Sequence, residues 1–437
     1  MRPAPSIAAS LSLPITTSFA GAQALWWPSS TSTPPRVVLL FIPGNPGLSS
    51  YYIDFLHSIY TSPLLKSTGI EILSVSHRGH APLPLVGTNA IWGDNLTNTT
   101  QARKGYGCTL RDQVRHKVSI VDAINRQYNG ESRQTKVVVA GHSIGAWVAS
   151  EVLKARPDGV EALHLLFPTL AWIGRTSNAR RVGVLMYPLV GWVLAPVLWM
   201  LALLPVVVVV WLVRLVTGQP AAAALATAEL LTTRGAVRNA LRMAKEEFGT
   251  VQQLESSTID AVASFTNDGE GRVRSYWASE DSDGWAPSWI RSQVENSLNL
   301  HRVHLPPGLG LDTSNTRPKL TGTKSHTRTR SFSVSEYRSS PGSIPDLRHA
   351  KAIRKPNGEI VIEAQVNESS SDSEDEPAIN GDDQQVSQRG MGYHYGRARA
   401  TSTHCRIGMP HAFCLKHSED MAKIVAHWIS FDHLSEE

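Results

Sequence analysis

The residue of this chain best placed to do chemistry is a serine between two glycines. Residues 137–151 hold an apolar run, then the pentapeptide Gly-His-Ser-Ile-Gly with Ser143 at its centre, and then a segment rich in small residues. A strand that turns sharply into a helix at G-x-S-x-G exposes the serine hydroxyl at the end of a sheet. The positive end of the helix dipole points at that hydroxyl. The pattern therefore predicts Ser143 as the nucleophile of an acyl-transfer reaction.

A Gly/Pro-rich loop earlier in the chain suits the negative charge that such a reaction develops. Residues 37–47 are an apolar strand followed by Pro-Gly-Asn-Pro-Gly. In hydrolases with this elbow, two backbone N–H groups hold the oxyanion, one from such a loop and one from the residue after the nucleophile. We expect Asn45 and Ile144 to be the donors, because Pro46 has no N–H.

The nucleophile also needs a histidine base that can take its proton and return it. Among 16 histidines, His411 lies in a turn-rich stretch directly before an amphipathic helix predicted over about 417–431. That is where the last strand of such a fold is followed by its last helix. The neighbouring alternatives are His404 and His417.

A carboxylate must orient this histidine, and the expected chain order is serine, acid, histidine. A predicted strand over 273–279 leads into an acidic turn that ends in Asp283, followed by Gly-Trp-Ala-Pro. Asp283 is the first choice for the acid and Asp281 the second.

Together these segments resemble the lipid-droplet-associated hydrolase family of α/β-hydrolase serine enzymes. The resemblance covers about residues 36–300 and 403–432, and it is carried by Ile42–Gly47, Ser76–His80, Leu110–Lys117, Gly141–Gly145, Phe167–Leu170, Asp283–Pro287 and His411–Phe413. It implies a triad of Ser143, Asp283 and His411, attachment to the lipid-droplet surface, and a role in the turnover of neutral lipid or sterol esters. Two features depart from the family: Ser177-Asn178-Ala179 replaces an expected Ser-Pro-Asn-Gly, and a long insert separates the acid from the histidine.

The elements that must position these residues alternate between strand and helix patterns. Strands are predicted over 37–42, 70–76, 136–140 and 161–167, and helices near 50–60, over 110–127 and over 144–155. This order predicts an α/β-hydrolase fold, a mostly parallel sheet covered by helices, with a hydrophobic helical cap and a long disordered insert. The predicted parts are a loose N-terminus (1–35), a first core part (36–171), the cap (172–260), the acid-bearing core (261–308), the insert (309–402) and the histidine-bearing core with its C-terminal helix (403–437).

Within the cap, residues 182–213 carry no charge and are dominated by Leu, Val, Trp, Ala and Met. A bilayer span needs only about 20 apolar residues, but Pro188, Pro196 and Pro205 interrupt the segment, and each removes a backbone donor. Flanking arginines and interspersed tryptophans suit an interfacial anchor. We therefore expect broken helices or a hairpin inserted in a lipid monolayer, with a true bilayer span and a buried cap core as alternatives.

The insert has few large apolar residues and changes from a basic Ser/Thr-rich half to an acidic run at Glu368–Glu376. Such a composition cannot bury enough apolar surface to offset the entropy of ordering, so disorder is predicted. The trio at 360–362, Ile-Val-Ile, is able to pair locally. The insert is interpreted as a tolerated surface loop or as a regulatory segment whose serines, Ser331, Ser333 and Ser369–Ser373, lie among charges that kinases favour.

Composition excludes several other classes. The 437 residues include three cysteines, which make no disulfide framework, and no Cys/His metal spacing, so no metal or cofactor is expected. The net charge of +5 is modest and spread out, without the aromatic–basic interleaving of nucleic-acid binders. The first residues are too weakly apolar to predict a signal peptide.

The leading hypothesis is a serine esterase or lipase that cleaves neutral lipid or sterol esters. We expect it at the lipid-droplet surface, with the endoplasmic reticulum membrane as the alternative. An acyltransferase with the same triad and a catalytically silent droplet-binding protein are the competing functions. Epoxide and haloalkane hydrolases are disfavoured because they use aspartate where this chain has Ser143.

Overall fold

The computed structural model describes most of the chain outside the insert. The described residues are 14–30, 34–66, 69–83, 108–130, 135–268, 270–279, 282–306, 309, 328–333, 351–354, 360–366 and 398–434. The second candidate acid Asp281, the serines at 369–373 and most of the insert predicted over 309–402 lie outside them.

Within these residues the chain forms twelve strands. They are β1 (Ile15–Phe19), β2 (Ala22–Trp27), β3 (Val37–Ile42), β4 (Ile70–Val75), β5 (Lys136–His142), β6 (Ala162–Leu166), β7 (Arg272–Trp277), β8 (His301–Arg302), β9 (Arg328–Ser333), β10 (Lys351–Arg354), β11 (Ile360–Val366) and β12 (Ala400–His404). Nine of them make one sheet in the order β1-β2-β4-β3-β5-β6-β7-β12-β8. All pairs from β4 to β8 along this order are parallel. Every residue of β3 and β4 is buried, as expected for central strands covered on both faces.

The N-terminal edge of this sheet corrects the sequence prediction of a loose N-terminus over 1–35. Residues 15–27 form an antiparallel hairpin, β1–β2, and β2 continues the sheet antiparallel to β4. Ala20 and Gly21 make its two-residue turn with positive φ values of 47° and 75°, the backbone that tight hairpins require. The overlooked signal was two β-prone runs, one ending at Phe19 and the other at Trp27, separated by this short turn.

Helices cover both faces of the sheet. They are α1 (Ile53–Tyr60), α2 (Leu110–Tyr128), α3 (Ile144–Ala155), α4 (Ser177–Gly183), α5 (Pro188–Leu203), α6 (Val206–Thr217), α7 (Ala221–Thr232), α8 (Ala236–Thr250), α9 (Ser256–Ala263), α10 (Ser288–Ser297) and α11 (Ser418–His433). One apolar core joins α2 and α3 to the sheet, and a second joins α1 and α11 to the opposite face. The sheet and its two helical layers confirm the predicted α/β-hydrolase fold.

The C-terminal helix α11 is joined to the sheet by a buried ion pair. The guanidinium of Arg274, on β7, donates from Nε and Nη2 to the two carboxylate oxygens of Asp432. Both side chains are fully buried. The pair anchors the C-terminal end of α11, the helix that follows the loop carrying His411.

The cap contains two kinds of helix. Helices α7 and α8 pack on the core through polar contacts: Thr227 Oγ1 lies 2.7 Å from Tyr51 Oη, and Asn239 Nδ2 donates to the carbonyl of Gly79 at 2.7 Å. Helices α5 and α6 lie outside them, and a small apolar cluster that includes Val209 joins α6 to α7. Met243 of α8 also lies in the apolar core, so α7 and α8 attach the cap to the core, whereas most of the large exposed hydrophobic residues lie on α5 and α6.

The prolines of the apolar segment interrupt it less often than the sequence suggested. Pro188 begins α5 and Pro205 separates α5 from α6, which confirms broken helices at those points. Pro196 lies inside α5, and the helix continues through it. Among the described residues no single helix is long and apolar enough to cross a membrane; α6 and α7 together reach that length and composition, but the chain bends by 114° between them.

Within the insert, the described residues form a small antiparallel sheet in the order β10-β11-β9. Ile360, Val361 and Ile362 lie in β11, where all three pair with β10 and the last two also pair with β9. Local pairing of this β-branched trio therefore agrees with the sequence prediction.

Candidate active site

Ser143 lies at the turn between β5 and α3 in a backbone conformation that few side chains adopt. Its φ is 55° and its ψ is −125°, outside the regions open to most residues. The flanking glycines are required by close approach: a Cβ on Gly141 would collide with the carbonyl of Gly145, and one on Gly145 would collide with the carbonyl of Ile42. The G-x-S-x-G pattern therefore follows from the packing of α3 against the sheet as well as from the turn.

His411 lies on the loop between β12 and α11 and faces the serine. Its Nε2 is 2.9 Å from Ser143 Oγ, within the reach that proton transfer needs. The imidazole edge also packs against Phe167, with ring centroids 5.9 Å apart. The ring is thus held beside the hydroxyl by packing as well as by the hydrogen bond.

Asp283 lies beyond the end of β7 and completes a relay of hydrogen bonds. Its Oδ2 is 2.7 Å from His411 Nδ1, and its Oδ1 accepts from the backbone N–H of Trp285 at 2.8 Å. Burial alone would raise the pKa of Asp283, but His411 and the N–H groups of Trp285 and Ala286 outweigh it and hold the pKa below its ordinary value. Asp283 therefore stays ionised and can fix the Nδ1–H tautomer of the imidazole, which leaves Nε2 free to accept a proton.

The alternative histidines face other carboxylates. His404 Nε2 lies 2.6 Å from Glu295 Oε1, and His417 Nδ1 lies 3.1 Å from Asp420 Oδ2. The structure thus brings together Ser143, Asp283 and His411, whereas His404 and His417 contact other carboxylates elsewhere.

The expected oxyanion donors are Asn45, in the loop after β3, and Ile144, the first residue of α3. Among the hydrogen bonds of the described residues, none uses the backbone N–H of either, as expected at Ile144 for the first turn of a helix. The loop presses against the nucleophile, because a Cβ on Gly44 would lie 2.9 Å from Ser143 Cβ. Asn45 and Pro46 are joined by a cis peptide bond. Both predicted donors therefore lie beside the serine.

The side chain of Asn45 is held by cap helix α8, which the sequence did not indicate. Its Nδ2 donates to the carbonyl of Ala240 at 3.0 Å and to Glu247 Oε1 at 2.8 Å. Burial raises the pKa of Glu247 to about 8, with a smaller contribution from the charge of Glu246. Glu247 therefore carries a proton at neutral pH and accepts from Asn45 as a neutral acid.

A buried lysine and a buried histidine lie behind the site, the lysine at the end of β4 and the histidine against the loop that carries Asn45. Lys117, from the Leu110–Lys117 segment, donates to the carbonyls of Val75 and Ser76 at 2.8 and 3.0 Å. His80 Nδ1 lies 2.7 Å from the carbonyl oxygen of Pro46. Burial lowers the pKa of His80 to about 4, so the ring is neutral and donates this hydrogen bond. His80 therefore holds the loop directly, whereas Lys117 holds the end of β4, where the N–H of His77 donates to the carbonyl of Gly47.

The acid loop rests on the start of the cap. The N–H of Asn178, at the beginning of α4, donates to the carbonyl of Gly284 at 3.3 Å, and a Cβ on Gly284 would lie 2.7 Å from Asn178 Oδ1. In the sequence, Ser177-Asn178 differs from the family pattern but carries no sign of this contact. Its position beside Asp283 depends on a contact between residues more than a hundred positions apart, which periodicity does not show.

The mostly parallel sheet, the strained serine at its strand-to-helix turn and the hydrogen-bonded aspartate and histidine define the class of protein. This chain is an α/β-hydrolase, with its serine, aspartate and histidine in the chain order of that class.

Comparison with known families narrows the class. The model of the lipid-droplet associated hydrolase family matches residues 35–315, well over half of the chain, and the chain therefore belongs to that family. The resemblance drawn from the motifs is confirmed.

Individual relatives share about a quarter to a third of the matched residues. The human lipid droplet-associated hydrolase is 29% identical over 147 residues, which are 33% of this chain and 42% of that protein. The Gallus gallus protein of the same name is 29% identical over 230 residues, 52% of this chain and 66% of that protein. The match thus spans less than half of the human relative's length. Among solved structures, a peroxisomal α/β-hydrolase of Saccharomyces cerevisiae is 14% identical with a TM-score of 0.40, over 68% of this chain and 77% of that one.

Proposed function

We propose that this protein is a serine hydrolase that cleaves the carboxylic esters of neutral lipids, sterol esters included, at the surface of lipid droplets. The observation that carries the proposal is the relay in which His411 lies 2.9 Å from Ser143 Oγ and 2.7 Å from Asp283. Such a relay activates a serine for attack on an acyl carbon.

In the first half of the reaction the acyl group moves to the enzyme. Ser143 Oγ attacks the ester carbonyl while His411 Nε2 takes the hydroxyl proton, and Asp283 stabilises the imidazolium that forms. The N–H groups of Asn45 and Ile144 hold the oxyanion of the tetrahedral intermediate. The intermediate then collapses, the bond to the alcohol oxygen breaks, and His411 returns the proton to the leaving alcohol.

In the second half water replaces the alcohol. His411 Nε2 takes a proton from the water as its oxygen attacks the acyl carbon, a second tetrahedral intermediate forms in the same oxyanion site, and its collapse returns the proton to Ser143. The products are the free acid and the enzyme in its starting protonation state.

The droplet surface is inferred from the outer face of the cap. The exposed large hydrophobic residues of the described chain, all but Leu64 and Trp289, lie between Val184 and Leu225. Contiguous exposed apolar surface with tryptophans suits the boundary between lipid headgroups and acyl chains. The relatives are named for their association with lipid droplets, which points to the same surface, and the endoplasmic reticulum membrane presents a similar one. We define the exposed part of α5 and α6 as the apolar face.

The aromatic residues beside the site favour an apolar substrate. Trp285 lies beside the base, with its ring centroid 6.4 Å from that of His411, and the ring centroid of Phe248 on α8 is 6.4 Å from that of Trp285. An apolar wall next to the nucleophile suits an acyl chain or sterol ring better than a charged group.

The experiment that tests the chemistry is covalent labelling with a fluorophosphonate probe. We expect the wild type to be labelled, Ser143→Ala to be silent, and Asp283→Asn to be labelled about 10³- to 10⁴-fold more slowly, because its histidine loses the correct tautomer. A control, Asp420→Asn, removes the partner of His417 and should label like the wild type.

A folded wild type that does not react would contradict the proposal and favour a droplet-binding protein without turnover. If labelling succeeds, emulsified cholesteryl oleate and triolein assign the substrate by their relative kcat/KM. Transfer of the acyl group to an added alcohol, in preference to water, would assign an acyltransferase instead.

A further inference from the structure

A buried tyrosine and a buried histidine connect the loop after β3 to the backbone of His411. We call this loop, residues 43–47, the oxyanion loop, because it carries the expected donor Asn45. The N–H of Gly44 donates to Tyr52 Oη at 3.2 Å, Tyr52 Oη lies 2.7 Å from His142 Nδ1, and His142 Nε2 lies 2.8 Å from the carbonyl oxygen of His411. Tyr52 and His142 are buried, with 4% and 5% of their surfaces exposed. The two ends of this chain are the residue before Asn45 and the residue that carries the imidazole base.

The directions of these hydrogen bonds follow from the groups at the ends. A carbonyl oxygen only accepts, so the proton of His142 is on Nε2 and points at His411. Burial and the nearby His411 lower the pKa of His142 to about 3, so the ring is neutral and its Nδ1 is an acceptor. Tyr52 then donates its O–H to His142 and accepts from the N–H of Gly44. Each donor in this series of hydrogen bonds therefore has one acceptor, and only the Nε2–H tautomer of His142 fits.

Packing prevents both side chains from turning away. The ring of Tyr52 packs against Phe41 and Phe413, with centroids 4.7 and 6.2 Å apart, and the ring of His142 packs edge-on against Phe413 at 5.1 Å. Phe413 follows His411 by two residues, so the same aromatic cluster holds the histidine loop and the hydrogen-bonded chain. A buried polar chain that is fully satisfied specifies one geometry, since any departure leaves an unpaired group.

We propose that Tyr52 and His142 are positioning residues that fix the oxyanion loop and the base relative to each other through Gly44 and His411. The inference rests on the proposed function, because the geometry that they fix is that of the ester-cleaving site. His142 is adjacent to the nucleophile, but it does not act as a base, since its Nε2 proton is committed to the carbonyl of His411.

The chain offers a matched pair of tyrosines for the test. Tyr52→Phe keeps the ring and removes both hydrogen bonds of the hydroxyl, whereas Tyr51→Phe removes only a bond to Thr227 on α7. Fluorophosphonate titration gives the number of reactive serines, and p-nitrophenyl butyrate gives kcat and KM per titrated site. We expect Tyr52→Phe to lower kcat about 10- to 100-fold with little change in KM, as small misplacements of reacting groups do. Tyr51→Phe should match the wild type.

Substitutions of the histidine separate positioning from general packing. His142→Gln retains an N–H that reaches the His411 carbonyl and should restore most of the activity that His142→Phe loses. The double variant Tyr52→Phe/His142→Phe should lose no more than the worse single one, because both interrupt the same chain. Equal kcat for Tyr52→Phe and Tyr51→Phe, or a lower titratable fraction with an unchanged kcat per site, would overturn the positioning role. A folded wild type without any titratable serine would instead overturn the proposed function, and this inference with it.

Discussion

The two glycines that flank Ser143 set the geometry of the nucleophile because, without a Cβ, they let the backbone pack closely. Gly145 lies against the carbonyl of Ile42 at the end of β3, and this contact fixes α3 close to the sheet. The turn at Ser143 stays strained only because its neighbours leave no room to relax.

We expect Gly145→Ala to destabilise the protein by about 1–3 kcal/mol, the usual cost of forcing a group into packed backbone, and to lower the labelling rate at Ser143. Urea unfolding followed by tryptophan fluorescence measures the first effect. Gly183→Ala is the matched control, because nothing lies within 4 Å of a Cβ at that helical glycine. It should be neutral or slightly stabilising, and equal losses in the two variants would contradict the steric account.

At the residue scale the sequence predicts the groups that meet a substrate better than the groups that hold them. Ser143, Asp283 and His411 were predicted because nucleophile, acid and base require particular side chains in a particular order. Glu247 and His142 were not, because their roles depend on contacts with residues about 200 or more positions away. A glutamate in an amphipathic helix looks the same in sequence whether it faces water or a buried loop.

Among the elements, helix α8 exerts the most direct control over the site. Glu247 on α8 accepts from Asn45, so the cap and the oxyanion loop share one buried hydrogen bond. Because Glu247 is 5% exposed and faces a neutral amide, with Glu246 as the charged neighbour that acts on it, its ionisation is unfavourable in the folded state.

This coupling predicts a pH dependence. The pKa of Glu247 is raised from 4.5 to about 8, so the folded state holds a proton that the unfolded chain releases, and the free energy of unfolding falls as pH rises across that window. Glu247→Gln cannot ionise and still accepts from Asn45. We expect it to flatten this part of the stability profile while kcat is kept. Thermal melting between pH 5 and about pH 9 tests the prediction.

Glu247→Leu is the companion variant, since it removes both the proton and the acceptor. It should flatten the profile in the same way but lower kcat, because Asn45 loses its partner. A profile that keeps the wild-type slope in Glu247→Gln would rule out this glutamate as the titrating group.

The buried ion pair of Arg274 and Asp432, between β7 and α11, predicts a loss of stability at acid pH. Burial alone would raise the pKa of Asp432, but the hydrogen bonds and charge of Arg274 outweigh it and hold the pKa below its ordinary value. The stabilisation is therefore present above the unfolded pKa near 4 and is lost as pH falls through the folded pKa. We expect Asp432→Asn to cost about 3–5 kcal/mol at neutral pH, and the difference from the wild type should shrink in acid.

Asp420→Asn, on the same helix, is the control for the acid-side measurement. Asp420 is one-third exposed and its side chain lies 3.1 Å from His417 and 3.8 Å from Lys423, so its loss should change stability by no more than about 1 kcal/mol. A similar cost for both variants at neutral pH would show that α11 is not held by its buried pair.

The elements themselves were predictable where a strong period or a buried apolar run marked them, and less so elsewhere. Strand β3 was predicted at its observed bounds because a run of six apolar residues is typical of a central strand that is buried on both faces. The hairpin β1–β2 was not, because its short strands take their stability from β4 rather than from their own pattern. The break at Pro205 was expected, whereas the continuation of α5 through Pro196 was not, because a proline in a helix interior usually breaks or bends it.

At the scale of the whole molecule, the chain separates into two compact units. One comprises residues 1–313 and 393–437 and contains every residue of the candidate site; the other comprises residues 314–392 and contains the sheet β9–β11. The long separation between the acid and the base in sequence is therefore an insertion between β8 and β12, and the site itself is assembled within one unit.

Three strongly exposed tryptophans lie on the two outer helices of the cap. Trp192, Trp199 and Trp211 expose 81%, 66% and 60% of their surfaces on α5 and α6. Leaving them in water is unfavourable, because each 100 Å² of apolar surface gains about 2.5 kcal/mol on transfer to an apolar phase. A lipid monolayer would remove this cost without requiring any helix to cross it.

We therefore expect the triple substitution of Trp192, Trp199 and Trp211 by serine to weaken binding to triolein droplets coated with phosphatidylcholine by more than about 100-fold, since each tenfold corresponds to only 1.4 kcal/mol. Flotation measures the binding, and hydrolysis of soluble p-nitrophenyl butyrate should be unchanged, because the apolar face lies outside the helices that contact the site. Trp289→Ser, at an exposed tryptophan on α10, is the control and should float like the wild type. Binding and soluble hydrolysis are measured on the same preparations. If the triple variant floats like the wild type, the apolar face does not bind the droplet. A variant that loses both would show that the cap and the site do not act independently.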